Sequence, residues 1–373
     1  MLNRTGIGTH AVQHQYETVN WGRSVKYVKR IVIAFAACLI TLVCVELVYS
    51  KMHLNIYRER GTFIGSVWPW IDYDPLMEWM NTPEYNLADA FKIDEKDAFR
   101  IDKNGFRIIK PSTAPGKMSR LIVCLGDSGT FGIWRDGETS LRFDSFPSLL
   151  QDNILGHHDV LINAGVLGYT SAHLLRQYII SIHKLKPQII VIRVGHNDHS
   201  PSWDKRLDAH QPSNALLRYL YKNFSSTLVV QTLARYTFLL RKKTMGGPWT
   251  TLDQYESNLI ELIRIAKSDG VKVFLVDYPL RPSSIVPASK KDLMDHISED
   301  SYDAYLAVHE KYMQRMESVA QSTGAQVIRT RSRLEDPKED AFSRFDAVHP
   351  NKHGMQIIAE EIAKVLLKDT GNP

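Results

Sequence analysis

Residues 120–129 read RLIVCLGDSG, an apolar run followed at once by a tight turn. The run is short and dominated by Leu, Ile and Val, which is typical of a strand buried on both faces of a parallel sheet. The turn places Ser128 just beyond the carboxyl end of that strand, at the edge where open α/β sheets form their sites. This stretch therefore predicts an α/β fold that presents a serine hydroxyl at the edge of its sheet.

A similar pattern continues along the chain. Short apolar runs alternate with amphipathic stretches, as in a parallel sheet covered by helices on both faces. The predicted strands are 120–125, 160–163, 188–194, 271–276 and 326–329, and the predicted helices are 143–154, 171–184, 251–268, 301–322 and 352–367. A long insertion, residues 200–250, is rich in leucine and aromatic residues. It predicts one or two amphipathic helices that pack on the sheet, cover the site as a lid or rest on a membrane.

The composition is that of a globular protein able to bury a full core, with 373 residues, 44% hydrophobic and 23% charged. A formal net charge of +5, without a dense basic block or a base-stacking module, does not indicate nucleic-acid binding. No constellation of cysteines or carboxylates accompanies the run 196–199, HNDH, to make it a metal site. We therefore predict no nucleic-acid partner, no cofactor and no metal ion, and the sequence says nothing about protein partners.

The N-terminal part contains an apolar run, residues 31–50, with the length of one bilayer-spanning helix. Four basic residues flank the run on its N-terminal side, Arg23, Lys26, Lys29 and Arg30. Three follow it closely, Lys51, Arg58 and Arg60, and are partly offset by Glu59, so the bias favours a cytoplasmic N-terminus by a narrow margin. A cleaved signal peptide and a buried core helix are the alternatives, but the run is long for the first and has no polar face for the second. Within the following segment, Asn104-Gly105 predicts the turn of a β-hairpin. We predict a cytoplasmic tail 1–30, a single-pass anchor 31–50, an irregular extension 51–118 and an extracytoplasmic domain 119–370.

Three further polar blocks accompany Ser128, although each one alone is compatible with an ordinary turn. Residues 163–170, NAGVLGYT, leave the second strand, and their glycines let the backbone present N–H groups to a developing oxyanion. After the third strand comes Asn197, whose amide donates a hydrogen bond without a change of charge. Asp346 and His349 stand three residues apart, so the carboxylate can hold Nδ1 of the imidazole and leave Nε2 for a serine. These blocks predict acyl chemistry at a serine.

Together the four blocks resemble the SGNH hydrolases, also called GDSL esterases/lipases, in order and spacing over about residues 119–367. The resemblance implies a flavodoxin-like three-layer α/β/α sandwich with a parallel sheet. It also implies Ser128 as the nucleophile and His349 as the general base, oriented by Asp346. The oxyanion hole would consist of the Ser128 N–H, Gly168 and Asn197.

Two positions depart from the family's pattern. Gly129 stands where the motif Gly-Asp-Ser-Leu has leucine, and His196 precedes Asn197 where a small residue is usual. Neither position carries a catalytic role in the family. We expect His196 to alter the pocket and thereby the acyl group that fits.

An α/β-hydrolase is the alternative fold, with Asp277 as the acid and His353 as the base, but its nucleophile elbow needs glycine where this chain has Thr130.

The resemblance to the SGNH hydrolases, combined with the anchor, implies a membrane-anchored serine esterase that acts through an acyl-serine on O-acetyl or short-acyl esters of surface or exported glycans. A lipid esterase, a glycan O-acyltransferase and a non-catalytic glycan-binding module remain alternatives.

Overall fold

The computed structural model describes the chain in segments. These are residues 9–51, 59–60, 69–74, 76–109, 120–137, 140–151, 159–201, 215–225, 227–240, 246–282, 301–343 and 345–368. Parts of the predicted tail, extension and insertion lie outside the described residues, namely 1–8, 52–58, 61–68, 75, 110–118, 202–214, 226 and 241–245. The chain divides into two compact units, residues 1–56 with 226–229, and residues 57–225 with 230–373.

The first unit is dominated by one helix, α1, Thr9–Lys51. Its segment Val25–Glu46 has a mean hydropathy of 2.3 and is long and apolar enough to cross a membrane. None of that segment is buried, which distinguishes it from the core helix of a soluble domain. A signal sequence near an N-terminus can meet the same criteria of length and apolar composition, so the orientation and the membrane anchor remain predictions.

The second unit contains the other described elements, except residues 228–229 at the start of one helix, which belong to the first unit. Its strands are β1 Glu59–Arg60, β2 Ile71–Asp74, β3 Glu78–Asn81, β4 Arg120–Gly126, β5 Trp134–Arg135, β6 Leu141–Arg142, β7 Asp159–Gly165, β8 Ile189–Arg193, β9 Lys272–Val276 and β10 Gln326–Ile328. Its helices are α2 Leu87–Phe91, α3 Ser128–Phe131, α4 Phe146–Leu150, α5 Ser171–Ile180, α6 His196–His199, α7 Ala215–Phe224, α8 Leu228–Leu240, α9 Leu252–Ser268, α10 Tyr302–Thr323, α11 Arg331–Leu334 and α12 Lys352–Lys368. The described residues also form 3₁₀ helices at Glu95–Asp97 and Ile182–Leu185.

The central sheet has five parallel strands in the order β10-β9-β8-β4-β7. The chain enters at β4, adds β7 on one side and then crosses to add β8, β9 and β10 on the other. The direction of winding therefore reverses at β4, and such switch points open the crevice in which doubly wound sheets bind ligands. Gly126 at the end of β4 pairs with Gly165 on one side and Arg193 on the other, so the three strands end level.

Both faces of this sheet are covered. Alternate residues of β4 enter different cores: Val123 and Leu125 pack with α5, α9 and α10, whereas Ile122 and Cys124 pack with α4 and α12. Because successive side chains of a strand point to opposite faces, an apolar strand of this kind needs helices on both sides. The predicted parallel α/β/α sandwich is confirmed.

The segment before β4 forms its own small antiparallel sheet, β1-β2-β3. It is followed by the predicted tight turn, where Asp102 N–H donates to Phe106 O at 2.8 Å and Gly105 has a φ of 85°. The buried side chain of Arg107 then donates to the backbone carbonyls of Phe131, Gly132 and Phe143, and its N–H donates to Asn163 O at 3.0 Å. This part of the extension is therefore bonded to the loops that follow β4 and to β7.

Candidate active site

The turn after β4 is shaped by close packing. A Cβ on Gly126 would lie 2.0 Å from the Thr130 hydroxyl and 2.5 Å from the Arg193 carbonyl, so only glycine fits there. Asp127 is the N-cap of α3 and accepts the Gly129 N–H at 2.9 Å. The chain thus turns sharply at the end of the strand and starts a helix at Ser128, as the sequence predicts for a serine at this edge.

The structure brings Ser128 and His349 together across 221 positions of the chain. Ser128 Oγ lies 2.7 Å from Nε2 of His349. The other ring nitrogen, Nδ1, lies 2.9 Å from Asp346 Oδ2 and 3.1 Å from Oδ1. A carboxylate accepts only, so Nδ1 carries a proton and Nε2 accepts from the serine hydroxyl. This is the arrangement of a nucleophile, a base and a group that orients the base.

The electrostatics of the pair favour an ionised Asp346. Burial raises the pKa of the Asp346 carboxyl. The His349 charge lowers it, as do the hydrogen bonds from the His349 ring and from the His349 and Val348 amides. These lowering effects are larger together, so the pKa of Asp346 is below its usual value. Burial lowers the pKa of His349, but the charge and hydrogen bond of Asp346 outweigh this effect and the net pKa is raised. The imidazole is therefore a stronger base than a free histidine.

Two backbone N–H groups at the site, those of Ser128 and Gly168, are available to donate hydrogen bonds. Within the described part of the chain, neither the Ser128 N–H nor the Gly168 N–H donates to a protein acceptor. Both residues line the same cavity as His349. Gly168 has a φ of 77°, a backbone conformation that glycine adopts without strain. Buried N–H groups are almost always paired, so open donors at a cavity suit a developing oxyanion.

The Asn197 amide is already engaged. Its nitrogen donates to Tyr169 O at 3.0 Å and to Asp127 Oδ2 at 3.2 Å. These bonds join the loop after β8 to the Gly168 loop and to the serine turn. The sequence predicts Asn197 as a donor at this edge, and the structure adds the two partners that hold the amide there.

The Gly168 loop rests on the extension. The indole of the fully buried Trp79 donates to Leu167 O at 2.8 Å, and the Tyr169 hydroxyl donates to Trp79 O at 2.7 Å. Asn81 adds a bond from its amide to Gly165 O at 3.0 Å. No sequence motif marks Trp79 as part of the site, because its partners lie almost 90 positions away.

Asp198 also has a structural role that differs from an ordinary loop cap. Its buried carboxylate accepts the Ser171 N–H at 3.0 and 3.1 Å as well as the Ser171 hydroxyl. It therefore caps the N-terminus of α5. Through this bond, the position of Asn197 is coupled to the start of α5, directly after the Gly168 loop.

Arg193 is a buried cation that sequence reasoning missed. Its side chain is 0% exposed, and the guanidinium carbon lies 3.5 Å from the ring centroid of Tyr278. The Tyr278 hydroxyl in turn donates to Asp127 at 3.2 Å. Burial raises the pKa of the Asp127 carboxyl, and the Arg193 charge opposes that rise. The sequence feature that could have indicated it is an arginine at the end of an otherwise apolar strand.

His196 does not shape the acyl cavity as expected. It is absent from the described lining of that cavity, and its Nδ1 lies 2.7 Å from the Tyr305 hydroxyl on α10.

His199 Nε2 lies 2.8 Å from His309 Nδ1, and burial lowers the pKa of both rings. Among the described residues, no group of three or more His, Cys, Asp or Glu side chains is placed to hold a metal ion.

The cavity over the serine has a volume of about 200 Å³. Its walls are largely apolar and come from Ile133, Trp134, Leu141 and Leu167, while Ser128, His349, Asp346, Gly168 and Arg135 supply the polar part. Among the described residues of the 200–250 insertion, none lines it. Pockets for drug-sized ligands have volumes of about 300–1,000 Å³, so this cavity suits a small group.

The residues of the alternative fold have other partners. His353 Nε2 lies 2.8 Å from Glu339 Oε2 and is half-exposed. Asp277 accepts the Thr330 N–H at 2.8 Å together with the Thr330 hydroxyl, which joins the ends of β9 and β10. Neither side chain is bonded to Ser128.

The model of the GDSL-like lipase/acylhydrolase family matches residues 124–357. No curated protein matches the chain.

Solved structures to which the chain shows a likeness include a lipase/acylhydrolase from Enterococcus faecalis, 18% identical, covering 66% of this chain and 95% of its own, with a TM-score of 0.42. A carbohydrate acetylesterase family member from Sinorhizobium meliloti is 14% identical, covering 68% of this chain and 100% of its own, with a TM-score of 0.45. A catalytic mutant of an acetylxylan esterase from Geobacillus stearothermophilus is 17% identical, covering 68% and 94%, with a TM-score of 0.40.

Proposed function

This chain belongs to the GDSL-like lipase/acylhydrolase family, and from that premise we propose that it is a membrane-anchored serine esterase for O-acetyl or short-acyl esters of surface or exported glycans. That it hydrolyses ester bonds follows from the family. The observation that carries the assignment of residues is the 2.7 Å contact between Ser128 Oγ and His349 Nε2.

In the first step, His349 Nε2 takes the hydroxyl proton of Ser128 while Oγ attacks the ester carbonyl carbon. The imidazolium that forms is stabilised by Asp346, which lies 2.9 Å from Nδ1. The carbonyl oxygen becomes an oxyanion and accepts hydrogen bonds from the Ser128 and Gly168 amides. We assign it a third donor, the Asn197 amide hydrogen that is bonded to Asp127 when no substrate is bound.

In the second step, His349 returns its proton to the oxygen of the leaving alcohol, and the C–O bond breaks to leave an acyl-serine. A water molecule, deprotonated by His349, then attacks the acyl carbon. The released acid and the regenerated Ser128 hydroxyl complete the cycle. Attack by a sugar hydroxyl instead of water would make the enzyme a glycan O-acyltransferase.

The cavity supports a short acyl group. A volume of about 200 Å³ with apolar walls accommodates an acetyl or similar group rather than a long chain. One observation favours a lipid ester as the second candidate. Large apolar side chains of α7 and α8, among them Leu216, Tyr236 and Leu240, are exposed. Such exposed faces are typical of surfaces that contact membranes or partners.

The location is supported by the apolar helix segment Val25–Glu46 and by the basic residues Arg23, Lys26, Lys29 and Arg30, which precede the apolar run 31–50. We propose one membrane crossing, with the N-terminus in the cytoplasm and the catalytic domain outside. A substrate at the cell surface is consistent with that orientation.

The decisive experiment is labelling of the full chain with a fluorophosphonate probe, which reacts with activated serines. We expect Ser128 to be labelled, and labelling to be lost in Ser128→Ala but retained in Ser318→Ala, which alters an exposed serine on α10. Equal labelling of the wild type and Ser128→Ala would refute the assignment of Ser128 as the nucleophile. If the wild type is not labelled and does not cleave p-nitrophenyl acetate, the chain is a binding module instead.

A further inference from the structure

We propose that a second, larger cavity beside the acyl cavity binds the alcohol part of the substrate, and that this part is a neutral sugar. The inference rests on the proposed esterase function and specifies its substrate. The second cavity has a volume of about 630 Å³, within the range of sites that enclose a whole small ligand.

The two cavities are neighbours. Trp134 lines both of them, so its side chain forms their common wall. The loop before α12 does the same: Ser343 and Phe345 line the larger cavity, whereas Asp346 and His349 line the smaller one. From this adjacency we infer that an ester with its carbonyl at Ser128 places one part in each cavity.

The wall between the cavities is fixed to the reacting groups. The N–H of Arg135, next to Trp134, donates to Asp346 Oδ2 at 3.2 Å. The Trp134 indole donates to Asp144 Oδ2 at 3.1 Å. The far side of the loop is held by Arg281, which donates from its guanidinium to Ser343 O at 2.6 Å. Both walls are thus positioned relative to the nucleophile before substrate arrives.

The chemistry of the two cavities differs and sets the direction of binding. The smaller one is bounded by Ile133, Leu141 and Leu167, which suits the hydrocarbon part of an acyl group. The larger one combines aromatic side chains with polar ones: Trp134, Phe342, Phe345, Asp136, Asp340 and Lys352. A sugar ring has an apolar C–H face that packs on aromatic rings and hydroxyl groups that both donate and accept. The polar, aromatic cavity therefore receives the alcohol.

The charges of the larger cavity favour a neutral ligand. Arg281 and Lys352 contribute two positive charges to the lining, and Asp136 and Asp340 contribute two negative ones. Lys352 also lies 3.6 Å from Asp144, and Asp136 pairs with Arg142 at 3.1 Å, so each of these two charges has an opposite charge beside it outside the lining. His353 also lines the cavity but pairs with Glu339 at 2.8 Å. A phosphate or a uronate would meet carboxylates as well as cations, whereas hydroxyl groups bond to both. We therefore assign an uncharged polyhydroxylated ring to this cavity.

The test compares two substrates of the full-length enzyme, a partly O-acetylated neutral xylo-oligosaccharide and p-nitrophenyl acetate, which has no sugar. The measured quantity is the ratio of their kcat/KM values. We expect Asp340→Gly and, separately, Lys352→Ala to lower this ratio at least tenfold. Glycine suits position 340, where φ is 45°, and both side chains are exposed, so both variants should fold. Matched controls are Asp253→Asn and Lys311→Ala, both at exposed positions outside the cavity.

An unchanged ratio in both variants would refute the sugar cavity while leaving the esterase function intact. The same holds if a matching oligosaccharide with glucuronic acid side groups is cleaved faster than the neutral one. If p-nitrophenyl acetate is cleaved no faster by the wild type than by Ser128→Ala, the esterase function and the sugar cavity both fail. Loss of both activities with a lowered melting temperature in one variant identifies misfolding, and the second variant then decides.

Discussion

Replacing Asp346 with asparagine removes a charge beside the catalytic base with little change in shape. The carboxylate accepts the His349 ring N–H at 2.9 Å and three backbone N–H groups, those of Val348, His349 and Arg135. The remaining oxygen of asparagine still accepts the Val348 and His349 amides. The fold should therefore persist, with a stability loss of about 1 kcal/mol for the lost Arg135 bond.

The effect on catalysis follows from the charge. Two opposite unit charges about 4 Å apart attract by about 4 kcal/mol at the effective dielectric constant of a protein. Asp346 is almost fully buried, so water screens this attraction little. The imidazolium exists only after proton transfer, and its stabilisation is therefore lost mainly from the transition state. At about 1.4 kcal/mol per factor of ten, we expect kcat to fall about a thousandfold.

The pH profile provides a second measurement. Activity requires the neutral His349 ring, so kcat/KM falls as the pH drops through the pKa of that ring. Asp346 raises this pKa against the effect of burial. In Asp346→Asn the largest of the effects that raise the His349 pKa is gone, while burial, which lowers it, remains, so the acid limb should move to lower pH.

Steady-state hydrolysis of p-nitrophenyl acetate between acidic and neutral pH, with thermal denaturation as a check of folding, tests both expectations. Asp253→Asn is the control, because its side chain is 92% exposed on α9 and has no contact with the site. A folded Asp346→Asn with kcat within tenfold of the wild type, or an acid limb that does not move, would refute the role of Asp346.

Three further predictions concern the oxyanion donors, their support and the acyl cavity. Asn197→Ala should lower kcat by about 10²–10³-fold with little change in KM, measured with p-nitrophenyl acetate; a change confined to KM would contradict an oxyanion role. Trp79→Phe removes the indole donor to Leu167 and should cost about 1 kcal/mol in the free energy of unfolding, measured by chemical denaturation, and lower kcat as well. Unchanged kcat in that variant would show that catalysis does not depend on the support that the extension gives to the Gly168 loop. Leu141→Ala enlarges the cavity and should shift the preference among p-nitrophenyl esters from acetyl toward butyryl and hexanoyl; an identical chain-length series would show that Leu141 does not limit the acyl group.

The sheet could be predicted because its strands must satisfy a local requirement. A parallel strand between two layers of helices is apolar along its whole length, as residues 121–125 are, and it ends where glycine and polar residues begin. Strand ends shifted by a few residues: β7 runs from Asp159 to Gly165, longer than the predicted 160–163. β7 is longer because it pairs with β4 over seven residues, and the sequence of one strand does not reveal how far it pairs with its neighbour.

The sequence alone therefore determined the layered α/β fold, the apolar N-terminal segment and the order of Ser128, Gly168, Asn197 and His349 along the chain. These features depend on residue type and short spacing. The tertiary structure decided what supports them: Trp79 under the Gly168 loop, Arg193 and Tyr278 behind Asp127, and Trp134 between two cavities. Each of these is a contact between residues far apart in sequence, and no local pattern encodes which distant side chain will meet a given carbonyl, carboxylate or cavity wall.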